Sequence, residues 1–127
     1  MSSSKVVFVV DDDPAVLSAV QRVLKNNGFD AETFNSASEL RAYNNLEQAF
    51  CVVLDVDLGA ESGITLHSQL RAAGIEIPVI YISGKHGSKA AALASGCVAF
   101  LPKPFSAKSL IEPIRNLWDS LPVKAGG

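Results

Sequence analysis

The sequence predicts an α/β fold in which a doubly wound sheet of five parallel strands carries helices on both faces. Apolar segments alternate with amphipathic stretches five times along the 127 residues, as strands alternate with helices in such folds. The first, third and fourth apolar segments are continuously apolar, which is typical of strands covered on both faces. The length fits a single domain over residues 1–127, with a core over about residues 5–120 and a flexible tail over about residues 122–127.

The strands follow from the apolar segments and the helices from their end signals. The predicted strands occupy residues 6–10 (VVFVV), 29–34 (FDAETF), 50–54 (FCVVL), 77–82 (IPVIYI) and 98–101 (VAFL). Asp13 and Pro14 are typical of an N-cap and a first-turn proline, and Gly28 ends the first helix. Ser36 and Glu39 form a capping box that begins the second helix.

The remaining helices are predicted over the second half of the chain. The third covers about residues 63–73, and a short fourth covers about residues 88–94. Ser106 is the predicted N-cap of the last helix. His67 in the third helix and His86 in a loop are expected to face solvent.

Composition excludes several classes of function. The net charge of −2 and the pI of about 5.6 leave no basic stripe for nucleic acid. No apolar run reaches the roughly 18 residues needed to cross a bilayer, and the N-terminus lacks the pattern of a secretory signal. We therefore expect a cytoplasmic protein that binds neither nucleic acid nor membrane.

Polar side chains that could bind ions or take part in a reaction follow four of the five predicted strands. In doubly wound sheets the ligand crevice lies outside the carboxyl ends of the strands. The residues at these ends are Asp11, Asp12 and Asp13 after the first strand, Asp55 and Asp57 after the third, Ser83 after the fourth and Lys103 after the fifth. The sequence thus predicts one polar site at this edge of the sheet.

The clustered carboxylates predict a divalent cation. Two carboxylates about 4 Å apart repel by roughly 4 kcal/mol at an effective dielectric constant of about 20, so a cluster needs a cation or protons. Mg²⁺, or Mn²⁺ in its place, prefers oxygen ligands and keeps several waters. We expect Asp12 and Asp55 as direct ligands, Asp11 as a ligand through water, and the backbone carbonyl of Asp57 as a further ligand. Asp13 is assigned to the helix cap.

A carboxylate can also attack phosphorus and form an aspartyl phosphate. Asp55 is the better candidate, because it stands at its strand end opposite the acid pair that would hold the metal. The metal, the Lys103 ammonium and the Ser83 hydroxyl would then surround the oxygens of the phosphoryl group.

These residues, in this order, resemble the response-regulator receiver domain of bacterial two-component signalling. The resemblance covers about residues 5–120. It rests on VVDDD after the first strand, LDVDLG after the third, ISG after the fourth and FLPKPF after the fifth. It implies a flavodoxin-like sheet with strand order 2-1-3-4-5 and a signalling switch rather than an enzyme.

The resemblance also implies a role for each matching residue. Asp55 becomes the phosphoacceptor, Asp11 and Asp12 the metal-binding acids, and Lys103 the lysine that binds the phosphoryl group. Ser83 and Phe100 take the positions of the family's switch hydroxyl and switch aromatic, and the Lys103-Pro104 bond matches one that is commonly cis. The implied donor is a phosphohistidine on a sensor histidine kinase or a histidine phosphotransfer protein, and an unknown protein is the downstream target.

The segment from Ser83 to Lys103 is about two residues shorter than is usual in the family, so the fourth helix is expected to be short or displaced. Two alternatives stay open at this stage. One is a pseudo-receiver, a binding module that no longer accepts phosphate. The other is a phosphatase similar to the haloacid dehalogenases, since Asp55-Val-Asp57 resembles their nucleophile motif; such enzymes need a further acid pair after the lysine, where only Glu112 and Asp119 are available.

Overall fold

The computed structural model describes residues 5–84 and 89–122. Within these ranges strands and helices alternate as the sequence predicts. The elements are β1 (Val6–Val10), α1 (Pro14–Asn26), β2 (Asp30–Phe34), α2 (Ala37–Ala42), β3 (Ala49–Asp55), β4 (Asp57–Leu58), β5 (Glu61–Ser62), α3 (Gly63–Ala72), β6 (Val79–Ser83), α4 (Lys89–Ala94), β7 (Ala99–Pro102) and α5 (Ala107–Asp119). A single 3₁₀ turn, Leu46–Gln48, precedes β3.

The five longer strands form one parallel sheet in the order β2-β1-β3-β6-β7. The two-residue strands β4 and β5 pair with each other in a separate antiparallel hairpin. Without this hairpin the order is 2-1-3-4-5, so the predicted topology is confirmed. In the register of the sheet Val10 lies beside Leu54, which in turn lies beside Tyr81. The carboxyl ends of β1, β3 and β6 therefore meet at one edge.

Alternate residues of the central strands point to opposite faces of the sheet and build two apolar layers. On one face Phe8 and Leu54 pack with residues of α2 and α3, including Leu40 and Leu66. On the other face the core contains strand residues Val7, Val9 and Val53, with Leu17, Val20 and Leu24 of α1 and Leu110, Ile114 and Trp118 of α5. Because β1 is buried along its whole length, its continuous apolarity is explained by cover on both sides.

The predicted helix caps are confirmed. The Asp13 carboxylate accepts a hydrogen bond from the Ala15 amide at 2.9 Å and begins α1. Ser36 and Ser106 accept in the same way at the starts of α2 and α5. Gly28 follows α1 with a φ of +88°, a conformation that glycine adopts without steric cost.

In the described part of the chain the fourth helix covers Lys89–Ala94, close to the predicted residues 88–94. Ala92 is its buried residue, whereas Leu93 is 53% exposed. Residues 85–88, which include His86, lie outside the described part of the chain. Within the described residues no helix is long and apolar enough to cross a membrane.

The prediction for His67 is wrong, because this side chain is buried rather than solvent-facing. It lies on the inner side of α3 next to the buried residue Leu66. Its Nδ1 lies 2.7 Å from the hydroxyl of Tyr81, which is also buried. A polar side chain can be buried when it finds hydrogen-bond partners inside the protein, and here β6 supplies one.

Candidate functional site

Three carboxylates meet at the carboxyl edge of the sheet. Asp11 directly follows β1 and Asp55 ends β3, and these two strands are neighbours. Asp12 is the next residue along the chain and is exposed, whereas Asp11 and Asp55 are buried. One oxygen from each of the three residues lies within 4.8 Å of the other two. The parallel topology thus collects acids that are separated by more than 40 residues in the sequence.

Lys103, which directly follows the edge strand β7, joins this acidic cluster. Its Nζ lies 2.9 Å from Asp11 Oδ2 and 3.0 Å from Asp55 Oδ2. The Lys103 amide donates a hydrogen bond of 2.7 Å to the carbonyl of Ser83, which anchors its backbone to the end of β6. One ammonium group therefore bridges the two buried carboxylates. The Lys103-Pro104 peptide bond that follows is cis, as the resemblance implied.

The second oxygen of each buried carboxylate is held by the backbone. Asp11 Oδ1 accepts from the Asp13 amide at 2.9 Å, and Asp55 Oδ1 accepts from the Asp57 amide at 3.0 Å. Both carboxylates are therefore oriented from two sides. Hydrogen bonds of this kind also explain how two buried charges are tolerated so close together.

Burial dominates the acid-base properties of the site. Removal from water raises the pKa of Asp55 from 3.8 to about 6, and the nearby Asp11 charge adds to this. The Asp57 amide and the Lys103 ammonium oppose the increase without cancelling it. For Lys103, burial lowers the pKa, but hydrogen bonds and charge interactions with Asp11 and Asp55 outweigh burial and raise it above 10.5. Asp55 is thus largely ionised at neutral pH, and Lys103 stays positive.

The donor set fits a hard divalent cation. Carboxylate oxygens from Asp11, Asp12 and Asp55 are close enough to share one ion, and such ligands suit Mg²⁺. They line a cavity of about 300 Å³ that is also bordered by Asp57 and Lys103. Asp13 borders the cavity as well, but its carboxylate caps α1. The Asp57 carboxylate accepts from the Gly59 amide at 3.3 Å, and the role of the Asp57 carbonyl as a ligand stays a prediction.

The two predicted switch residues lie on neighbouring strands. Ser83 ends β6 and is buried at the same edge of the sheet as Asp55. Phe100 lies on β7, where it pairs in register with Tyr81 and is half-buried against the core. Phe100 is two residues further from the edge than Pro102, the partner of Ser83. Ser83 therefore shares the edge of the sheet with the acids, whereas Phe100 lies further along β7, and the switching roles of both residues stay predictions.

Gly63 is a residue of the site that the sequence analysis missed. It begins α3, and its amide donates a hydrogen bond of 2.7 Å to the carbonyl of Val56. A Cβ atom at this position would lie 2.1 Å from the carbonyl oxygen of Asp55. The start of α3 can therefore approach the end of β3 only because residue 63 is glycine. The sequence signal was the pair Ser62-Gly63, in which a helix cap precedes a poor helix former.

A sequence profile of the response regulator receiver domain matches residues 7–115. The chain belongs to this family. Two relatives of the chain are TodT, a response regulator protein of Pseudomonas putida, and nodulation protein W of Bradyrhizobium diazoefficiens. TodT is 36% identical over 115 residues, which cover 88% of this chain and 50% of TodT. Nodulation protein W is 33% identical over 116 residues, which cover 89% of this chain and 51% of that protein. The receiver domain described here therefore spans about half the length of these relatives.

Solved receiver structures share the fold. A response regulator receiver protein from Burkholderia phymatum superposes with a TM-score of 0.77 and 33% sequence identity, covering 93% of this chain and 98% of that one. Because most of both chains is aligned, the two proteins share the same fold. The resemblance inferred from the four motifs is thereby confirmed.

Proposed function

We propose that this receiver domain is a signalling switch that accepts a phosphoryl group on Asp55. The observation that carries the proposal is the contact of the Asp55 carboxylate with the Lys103 ammonium, next to the carboxylates of Asp11 and Asp12. An oxygen of Asp55 attacks phosphorus in a phosphohistidine, the new O–P bond forms, and the N–P bond to the imidazole breaks. The imidazole leaves with the electron pair and takes a proton from solvent. This chemistry requires an ionised Asp55, which a pKa of about 6 provides at neutral pH.

The other residues of the cluster have supporting roles in this proposal. Lys103 stabilises the charge that builds up on the phosphoryl oxygens, because its ammonium already lies against the acceptor oxygen. Asp11, Asp12 and Asp55 would hold Mg²⁺ or Mn²⁺, which neutralises negative charge on the entering phosphoryl group when it is bound. Ser83 would donate to the new phosphoryl group, and Phe100 would respond by turning inward.

The donor is proposed to be a sensor histidine kinase or a histidine phosphotransfer protein in the cytoplasm. An apolar cleft of about 400 Å³ lies between α1 and the segment that follows β7, lined by side chains that include Val16, Ala19, Val23 and Phe105. Lys103 borders both this cleft and the acidic cavity. A helix of the donor that docks in the cleft would thus bring its phosphohistidine to Asp55. The downstream target is proposed to be a protein.

The phosphorylation proposal is tested by intact-mass measurement. The protein is incubated with Mg²⁺ and acetyl phosphate, and a mass increase of one phosphoryl group is expected. Asp55→Asn should abolish the increase, because an amide is not a nucleophile toward phosphorus. Asp13→Asn is the matched control: it removes a neighbouring acid, and asparagine still caps a helix. An adduct that persists in Asp55→Asn, or no adduct on the unmodified protein, contradicts the proposal.

The two alternatives are disfavoured by specific observations. A pseudo-receiver would be expected to have lost part of the reactive set, whereas Asp11, Asp12, Asp55 and Lys103 are present and adjacent. A phosphatase similar to the haloacid dehalogenases needs a second acid pair at the site. Glu112 and Asp119 lie on α5, and neither is among the described residues that line the acidic cavity. Turnover of p-nitrophenyl phosphate would revive the enzyme alternative.

A further inference from the structure

Four polar side chains form a hydrogen-bonded chain beneath the C-terminal end of α4, away from the acidic site. His67 Nδ1 lies 2.7 Å from the Tyr81 hydroxyl, which lies 3.2 Å from Ser95 Oγ. Ser95 directly follows α4, and its hydroxyl donates to the carbonyl of Ala92 at 2.6 Å. At the other end, Arg71 Nη2 lies 3.1 Å from His67 Nε2. These hydrogen-bonded side chains connect α3, β6 and α4.

Arg71 closes this series of hydrogen bonds into a ring. The same nitrogen, Nη2, also donates to the carbonyl of Ser95 at 2.8 Å. A guanidinium nitrogen of this type carries two protons and has no acceptor. Each proton of Nη2 therefore has one acceptor, His67 Nε2 or the Ser95 carbonyl. His67 must be the neutral tautomer that carries its proton on Nδ1 and donates it to Tyr81.

Protonation of His67 is incompatible with this arrangement. A second proton on Nε2 would point at the Arg71 guanidinium, and two positive groups would face each other at hydrogen-bond distance. Arg71 Nη2 would have to move, and it would leave the Ser95 carbonyl at the same time because one atom makes both contacts. Burial first, and the Arg71 charge second, lower the pKa of His67 below 6.5 in agreement with this geometry.

The other ionisable groups around His67 do not replace it as the group that titrates. Burial raises the pKa of Tyr81 above 10.0, so its hydroxyl keeps its proton. Cys97, in the segment after α4, also has a pKa raised by burial and stays neutral. Glu76 is an exposed carboxylate that borders, together with His67 and Arg71, a cavity of about 280 Å³. Among the described residues at this cluster, His67 is therefore the group placed to change charge on mild acidification.

Helix α4 depends on these contacts more than a longer helix would. Its described part, Lys89–Ala94, has six residues, of which Ala92 is buried. A segment with few buried apolar contacts opens at low free energy, so individual hydrogen bonds decide how often it opens. Tyr81 also pairs in register with Phe100 on β7. A change at His67 can thus reach both α4 and the strand that carries the predicted switch aromatic.

We propose that Arg71, His67, Tyr81 and Ser95 form a proton-sensitive latch that holds the end of α4 against α3, and that protonation of His67 opens it. In the open state His67 regains an ordinary pKa near 6.5, whereas in the closed state its pKa is lower. Acidification below pH 6.5 therefore favours the open state. The opening equilibrium changes by up to about tenfold for each unit of pKa difference between the two states. The latch does not depend on phosphorylation of Asp55.

Hydrogen exchange measured by mass spectrometry tests the latch on the unphosphorylated full chain. Exchange of the peptide that covers α4 is compared between about pH 8 and about pH 5, the range in which histidine changes charge, after correction for the intrinsic rate at each pH. Opening should increase several-fold on acidification. His67→Gln, which cannot titrate, should lose this pH-dependent part. His86→Gln is the matched control and should keep it.

Two further measurements keep the test decisive if His67→Gln folds poorly. Ser95→Ala removes, at a partly exposed position, the hydroxyl group that contacts Tyr81 and the Ala92 carbonyl. This variant should increase opening of α4 at neutral pH. An NMR titration of the wild-type protein should show that His67 titrates below 6.5. Opening of α4 that stays constant while His67 becomes protonated, or a pH response that survives in His67→Gln, would overturn the proposal.

Discussion

Lys103 Nζ lies 3.0 Å from Asp55 Oδ2, although the two residues are 48 positions apart in the sequence. The same nitrogen contacts Asp11 Oδ2, so one ammonium neutralises part of the charge on two buried carboxylates. This contact links the stability of the site to its proposed reactivity. An entering phosphoryl group meets a positive charge that is already in place, and preorganised charge is a principal source of rate acceleration.

Replacement of Lys103 by methionine tests whether the ammonium group contributes to the rate of phosphorylation. Methionine keeps most of the apolar stem and removes the charge. We expect phosphorylation by acetyl phosphate to slow by about 100-fold, the usual cost of losing one preorganised charged group. The variant should still bind Mg²⁺, because the three acids are unchanged. Time courses of the intact mass at saturating Mg²⁺ measure the rate of phosphorylation. An undiminished rate would exclude Lys103 from phosphoryl transfer.

Asp55→Asn is expected to stabilise the metal-free protein at neutral pH. Because the folded-state pKa of Asp55 is raised from 3.8 to about 6, the folded state binds more protons than the unfolded state between these values. The free energy of unfolding therefore decreases as pH rises from about 4 to about 6. Asparagine removes this effect, so the variant should be more stable by about 1–3 kcal/mol at pH 7 and equal to the wild type near pH 4.

Urea denaturation in EDTA measures this difference, with Asp13→Asn as the control that changes an exposed acid. Asparagine can still accept a hydrogen bond from Lys103, so the substitution removes the charge more than the contact. A loss of stability in Asp55→Asn at pH 7 would show that ion pairing with Lys103 outweighs the cost of burying the carboxylate.

Asp12→Asn is expected to reduce the stabilisation that Mg²⁺ confers. A ligand that binds only the folded state raises its stability, by about 2.7 kcal/mol at 100 times the dissociation constant. Asp12 contributes an exposed carboxylate oxygen to the cluster. Thermal melts with and without MgCl₂ should show a smaller increase in Tm for Asp12→Asn than for Asp13→Asn. Equal increases would place the ion elsewhere.

Gly63→Ala is expected to impair both folding and phosphorylation. The added Cβ would lie 2.1 Å from the Asp55 carbonyl oxygen, so the start of α3 or the end of β3 must shift. Overpacking of this kind costs about 1–3 kcal/mol. Gly84→Ala is the matched control, because its Cβ would meet the Lys103 side chain at 4.0 Å, an ordinary contact. Urea denaturation and the acetyl phosphate assay should rank Gly63→Ala below Gly84→Ala in both properties.

Ala19→Arg tests the cleft between α1 and the segment after β7. A large charged side chain at this exposed position should block a docking helix without reaching the acids. Transfer from a phosphohistidine donor should therefore fall by at least about tenfold, the effect of losing about 1.4 kcal/mol of docking energy. Phosphorylation by acetyl phosphate should not change. Ala42→Arg, an exposed position at the end of α2, is the control, and an equal loss there would argue against the cleft.

Much of the fold is predictable because it depends on local patterns. The continuous apolarity of residues 6–10 predicts a strand buried on both faces, and β1 is such a strand. Asp13 and Ser106 predict helix starts, since a cap acts on amides only two or three residues away. The strand ends then predict which polar residues share an edge of the sheet. These inferences need only periodicity and the rules of parallel topology.

Burial of polar side chains was not predictable in the same way. His67 was expected to face solvent, but it lies on the helix face that carries Leu66 and Leu70, and its partner Tyr81 comes from another element. The close approach at Gly63 likewise depends on where α3 packs relative to β3. Both features arise from contacts between elements, and no local pattern encodes the distance between them.

The strands, the helix caps and the acids, hydroxyl and amine at one edge of the sheet are predictable from residue order alone, because hydrophobic period and turn chemistry act over a few residues. The folded protein adds the contacts of the Lys103 ammonium with both Asp11 and Asp55, and those of one Arg71 nitrogen with His67 and the Ser95 carbonyl. Those contacts depend on strand order, side-chain conformation and the packing of helices on the sheet, which are set by the whole chain at once.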